Sequence, residues 1–163
     1  MPMKKLLPIL LMSLVLGAKA QIVTKGSCRA LRQAHDINFV MDFSKAQIMG
    51  QSELFFSVEN EDWVRDDIVT LCANNINKQL DGKLTVTPNN SSTLSLKLIV
   101  LKISKNGSFY CKAELTNKEK KLAEIHEIRS SYGDFMGTNV HRIKVGSQKL
   151  GVKLGKFLRY QIR

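Results

Sequence analysis

Residues 94–116 leave the chain little choice of local structure. Leu94, Leu96, Leu98, Val100 and Lys102 alternate with Ser95, Lys97, Ile99, Leu101 and Ile103. After Asn106-Gly107, Phe109, Cys111, Ala113 and Leu115 alternate with Tyr110, Lys112, Glu114 and Thr116. A period of two residues is that of a strand with one face turned to a core, and Asn-Gly between two such runs is a strong hairpin signal. The first run becomes apolar on both faces, as a central strand does. The spacing therefore predicts an antiparallel hairpin around which the remaining elements must pack.

Ile37, Phe39, Met41 and Phe43 alternate with Asn38, Val40 and Asp42, which predicts another strand. Ser44–Ser52 reads as a loop, and Leu54–Val58 as a short strand or the lead-in to a helix. Asn60 is a suitable N-cap, and Val64, Ile68, Leu71, Ile76 and Leu80 recur at helical spacing, so a helix is expected from Glu61 to Leu80, ended by Asp81-Gly82. Leu84–Thr87 reads as a short strand before the turn at Pro88–Ser92. Beyond a turn at Asn117–Lys120, Leu122–Tyr132 returns as a strand with Ile125 and Ile128 out of period, the mark of a bulge. A last helix, capped by Thr138 or Asn139, runs to Ile162. Gly146, Gly151 and Gly155 on that helix predict close approach of its backbone to the sheet, because glycine otherwise costs helix stability. The order strand, helix, three strands, helix predicts an α+β two-layer sandwich: an antiparallel sheet of about four to five strands with two helices on one face.

The N-terminus carries a basic head, Met1–Lys5, an apolar run, Leu6–Leu16, and Ala18-Lys19-Ala20. This is the pattern of a secretory signal peptide of bacterial type, with Gln21 first in the mature chain. The apolar run is about half the roughly 20 residues needed to span a bilayer. The expected organisation is a signal peptide at 1–20, an irregular or weakly helical arm at 21–36 and one α+β domain at 37–163. Removing the first 20 of 163 residues leaves 22 Lys and Arg against 14 Asp and Glu, a net charge of +8. Such a charge attracts anionic partners outside the cytoplasm. Cys28, Cys72 and Cys111 form an odd set without Cys-x-x-Cys spacing. They allow at most one internal disulfide and argue against a zinc or redox site.

Catalytic patterns are sparse. His35, His126 and His141 lie in separate segments, with no His-Glu-x-x-His. There is no Gly-x-Ser-x-Gly elbow, no phosphate loop and no dinucleotide fingerprint. Cys111 and His126 fall near each other across a predicted hairpin, the one arrangement that fits a thiol enzyme. Cys111, however, takes the apolar face, where a buried thiol is inert. Asp66/Asp67 and Glu124/Glu127 are the paired carboxylates, and both read as solvated. The extended chemical feature is a basic side of the last helix, Arg142, Lys149, Lys153, Lys156 and Arg163, with Lys144 and Arg159 at its edges. A stripe of this kind fits an anionic surface, at about 1 kcal/mol per charge near a lipid headgroup. Nucleic acid is disfavoured, because no aromatic residues interleave the charges.

The strand Ile37–Phe43, the helix Glu61–Leu80, the turn Lys-Ile-Ser-Lys-Asn-Gly at 102–107 and the Lys/Gly-rich last helix together resemble small exported proteins of Bacteroides-type bacteria. The element order is similar to envelope accessory domains of the lipopolysaccharide-assembly and curli-secretion type. The chain lacks their lipid-modified cysteine after the signal. The signal peptide, the absent catalytic constellation and the basic last helix point to an exported, non-enzymatic envelope accessory or binding protein with no cofactor and no metal. It would be periplasmic or extracellular, or peripheral on a membrane, with an anionic envelope component or another envelope protein as partner. The other readings are a small exported hydrolase or thiol enzyme using Cys111 and His126, and a lipid or small-ligand binder with a pocket between sheet and helices.

Overall fold

The computed structural model describes residues 22–163, so the expected signal peptide lies outside the described residues. Among the described residues, eight strands and three α-helices follow in order: β1 (Val23–Gly26), a 3-10 turn (Arg29–Arg32), β2 (Asp36–Asp42), β3 (Gln47–Ile48), β4 (Gln51–Ser52), α1 (Glu53–Glu59), α2 (Arg65–Leu80), β5 (Thr85–Pro88), β6 (Leu94–Ile103), β7 (Phe109–Asn117), β8 (Lys120–Arg129) and α3 (Asn139–Gln161). The sheet runs β1-β8-β7-β6-β2-β5, with β3 beside the end of β6 and β4 beside β3. It is mixed. β6, β7, β8 and β1 are antiparallel neighbours, whereas β2 is parallel to both β5 and β6. The expected antiparallel sheet of four to five strands with two helices is therefore overturned.

Each difference has a physical cause. β1 joins β8 through Val23↔His126 to Gly26↔Ala123, a partnership about a hundred residues long-range that no local period betrays. The loop expected at 44–52 is a small hairpin, β3–β4, turned by Met49 and Gly50, both at positive φ. The residues read as strand or lead-in form α1. The expected helix from Glu61 begins only at Arg65, because Asn60 ends α1 instead of starting α2. Its N–H and its Nδ2 both donate to the Phe56 carbonyl, at 3.0 and 2.9 Å.

β5 and β6 are separated by five residues yet run parallel, with β2 between them. A connection that short normally means a hairpin. Here β5 lies along the first half of β2 and β6 along the second, so residues 89–93 only have to cross over β2. Asn38 fastens the crossing: its Oδ1 accepts from Asn90 N at 3.0 Å and its Nδ2 donates to Ser95 Oγ at 3.2 Å. Asp36 accepts from Thr87 Oγ1 at 2.8 Å and from Asn90 Nδ2.

The predicted β6–β7 hairpin and α3 are present. Gly107 turns the hairpin at φ +80°, and Thr138 caps α3, accepting from His141 N at 3.1 Å. The irregularity expected near Ile125–Ile128 is a bulge in the β7–β8 register, with Glu127 at φ +58°.

α2 and α3 pack side by side in parallel on one face of the sheet. Lys144 meets Asp67, Ser147 Oγ donates to Ile68 O at 2.7 Å, and Gly151 and Gly155 face Cys72 and Ile76. The α3 glycines thus serve helix packing more than the expected contact with the sheet. A Cβ on Gly151 would overlap the Cys72 carbonyl, and one on Gly155 would stand 2.8 Å from the Ile76 carbonyl. Gly146 is pressed against Gly107 of the hairpin turn. Between helices and sheet lies one buried cluster that includes Phe39, Leu96, Leu98, Phe109, Ile125, Ile76, Leu150 and Leu154. The opposite face of the sheet is polar, with Lys97–Asp42, Lys121–Glu114 and Arg129–Glu127 pairs.

Candidate functional site

The spacing i, i+4, i+7 on α3 carries Lys149, Lys153 and Lys156 onto one side of the helix, beside the segment that leaves β8. With Ser131, Gln148 and Val152 they line a groove of about 370 Å3. No carboxylate lines it. Lys149 Nζ donates to the carbonyls of Tyr132 and Gly133, at 2.7 and 3.0 Å, and stands 4.6 Å from the centre of the Tyr132 ring. Lys153 Nζ donates to the Arg129 carbonyl at 2.6 Å. Partial burial, helped by the charge of Arg129, pulls the Lys153 ammonium below its ordinary value. These contacts leave the positive charges uncancelled by any acid, because carbonyls offer only dipoles. Lys156 is exposed and has no ion-pair partner among the described residues. The groove is a cluster of cations around one apolar patch, Val152, and fits an anionic group on a partly apolar carrier.

The other two predicted residues of this stripe go elsewhere. Arg142 spans the domain end, donating to the carbonyls of Lys105 at 3.1 Å and Gly137 at 3.2 Å. It ties the hairpin turn to the loop before α3. Arg163 is exposed at the last position of the chain and does not line the groove. At the edges, Lys144 pairs with Asp67 at 2.9 Å.

Cys111 and His126 border one shallow cavity of about 160 Å3 but do not pair across the ladder. Cys111 pairs with Ile128 across the β7–β8 ladder, two residues from the expected partner, because Lys118 and Glu119 make a tight turn and a bulge shifts the register. Its thiol is buried in the core, and burial, with Cys72 adding to it, pushes it well above its ordinary value. His126 lies at the half-exposed side, 3.3 Å from Glu124. Cys28 and Cys72 are likewise free and buried, and burial pushes the Cys72 thiol up to about 12. His35 precedes β2, and His141, in the first turn of α3, lies 3.4 Å from Asp134. Among the described residues no group of three or more His, Cys, Asp or Glu is placed to hold a metal ion. Glu124 is engaged by Lys121 at 2.7 Å, and Glu127 by Arg129 at 2.9 Å.

Two surface features carried no period in the sequence. One is an exposed apolar set on α1, Leu54, Phe55 and Val58. The other is Tyr132, Phe135 and Met136 in the loop beside the lysine groove.

A mixed sheet with two parallel helices on one face and a polar opposite face defines the class as an α+β two-layer domain. No protein-family model matches the chain, and no curated protein matches it. Among solved structures it is similar to the PelC dodecamer from Paraburkholderia phytofirmans, with a TM-score of 0.50 and 9% identity over 85% of this chain and 96% of that one. A PelC point-variant dodecamer from the same organism gives a TM-score of 0.46 and 10% identity over 85% and 98%. At such identities the likeness is one of fold. Among the described residues no helix is long and apolar enough to cross a membrane.

Proposed function

We propose that this chain is an exported, non-enzymatic accessory protein of the cell envelope that acts through its surface. The groove formed by Lys149, Lys153 and Lys156 is the surface that takes an anionic partner. The observation that carries this reading is the groove itself: three lysines on one side of α3 line it, and no acid does. The N-terminal signal pattern supports export. A fold shared with a protein that forms a dodecamer supports work through contacts with other chains. The buried, hard-to-ionise Cys111 argues against a thiol enzyme.

The test is fractionation of cells producing the protein with its own leader, followed by washing of the envelope in low salt, high salt and carbonate. Retention at low salt and release at high salt are expected, because salt screens exposed charges. Lys153→Glu with Lys156→Glu should abolish retention. A protein that remains in the cytoplasm, or that is retained equally with both lysines reversed, would overturn the reading.

A further inference from the structure

Two flanks of the domain present apolar side chains to water, and they carry opposite charge. On α1, Leu54, Phe55 and Val58 are 72, 67 and 74% exposed, while Phe56 is the helix's one buried residue. Residues 53–67 hold six of the chain's 14 acids and a single base, Arg65. Arg65 is engaged by Glu53 at 2.8 Å. Glu61 and Asp62 are exposed and have no ion-pair partner among the described residues.

The second flank is the lysine groove with the loop beside it. Phe135 and Met136 are 71 and 76% exposed, and Phe135 packs on Tyr132 with ring centroids 4.8 Å apart. Residues 139–163 hold seven Lys and Arg and no acid. The two flanks hang on different strands and meet at one end, where Asn139 Nδ2 donates to Asn60 Oδ1 at 3.4 Å and Lys144 pairs with Asp67. α1 follows the β3–β4 hairpin, which joins β6 on its β2 side, whereas the loop leaves β8, with β7 between.

Exposed apolar patches bounded by charge mark contact surfaces. Two different, complementary patches on one chain make a head-to-tail contact, which repeats from copy to copy and closes only as a ring. We propose that the anionic partner of the lysine groove is a second copy of this chain. Its α1 flank seats the apolar face of that helix against Phe135 and Met136, and sets Glu61 and Asp62 against Lys153 and Lys156. An anionic lipid or glycan in the groove matches the surface less well, because it leaves the exposed apolar residues of α1 uncovered. This inference rests on the lysine groove being a functional surface.

Charge exchange tests it, read by sedimentation velocity of the protein recovered from the envelope of its expression host, with heparin as an independent polyanion probe of the groove. The wild type should sediment as an assembly larger than a dimer. Lys153→Glu/Lys156→Glu and Glu61→Lys/Asp62→Lys should each raise the dissociation constant at least tenfold, with unchanged circular dichroism. An equimolar mixture of the two variants should restore assembly, since each reversed flank then meets its opposite. Phe55→Ser should weaken assembly without altering charge. A monomeric wild type that binds heparin through Lys153 and Lys156 overturns the second copy as partner and retains the groove. Assembly indifferent to both charge reversals overturns this interface. A monomer that also ignores heparin overturns the interface and the groove together.

Discussion

The side-chain amide of Asn77 pairs with both backbone groups of Val86, donating from Nδ2 to the carbonyl at 2.9 Å and accepting from the N–H at Oδ1 at 2.8 Å. Val86 belongs to β5, the outer strand of the sheet. One amide on α2 thus stands in for a missing neighbour strand and blunts an edge that would otherwise be free to pair with another chain. Asn77→Ala should cost about 1–2 kcal/mol, the range for losing hydrogen bonds to partly buried groups. Urea unfolding measures it. Asn77→Asp should retain only the bond from the Val86 N–H and fall between the two. Equal stability of all three proteins would contradict this account.

At Gly151 the usual rule for helical glycine changes sign. In an open helix Gly→Ala stabilises by about 1 kcal/mol. Here the added Cβ meets the carbonyl of Cys72 on α2, so the two helices must move apart. Gly151→Ala should destabilise by about 1–3 kcal/mol, the usual cost of overpacking. Thermal unfolding compared with the wild type checks the sign.

The thiols give a test of the core. Cys72 and Cys111 are buried and held protonated far above neutral pH. Iodoacetamide at pH 7.5 should leave both unlabelled in the native protein and label both in denaturant, as read by mass spectrometry. Fast native labelling of Cys111 would revive the thiol-enzyme reading.

The Asp42–Lys97 pair on the polar face sets a pH dependence. The Lys97 ammonium at 2.9 Å, with the hydroxyl and backbone N–H of Ser44, holds the Asp42 carboxyl well below the usual carboxylate range. A carboxylate depressed in the folded state stabilises it above its unfolded value, near 3.8, and loses that contribution as pH falls further. Lys97 is 44% exposed, so solvent reduces the effect to about 0.5–1 kcal/mol at neutral pH. Asp42→Asn should therefore cost that much at pH 7 and progressively less below pH 4, measured as the difference between the two urea midpoints. A difference as large at pH 2 as at pH 7 would refute the assignment.

What the residues made legible was local. The alternation of Leu94–Leu98 against Ser95–Lys97 and the Asn106-Gly107 turn predict β6 and β7, and Thr138 as a cap predicts the start of α3, because each pattern is complete within one element. The same spacing gathers Lys149, Lys153 and Lys156. What stayed hidden depends on partners distant in sequence. β1 has four residues and no period, and pairs across a hundred positions. The parallel placement of β5 and β6 follows from their stagger along β2, which no turn motif encodes. α1 misleads because its apolar residues point to water, the reverse of an ordinary amphipathic helix. Arg142 shares the helical stripe but is claimed by two carbonyls that only the folded chain brings near.

The sheet order also sets a timetable. A chain that emerges from its N-terminus presents Ile37, Phe39 and Met41 of β2 before residues 85–99, their neighbours on both sides, exist outside the exit. At ordinary synthesis rates of 5–20 residues per second that interval is on the order of several seconds. Throughout it the most apolar strand of the first half is an unpaired, sticky segment, and β1 waits longer still for β8. After the leader, residues 37–43 are thus the first stretch of the domain that a holding chaperone would meet.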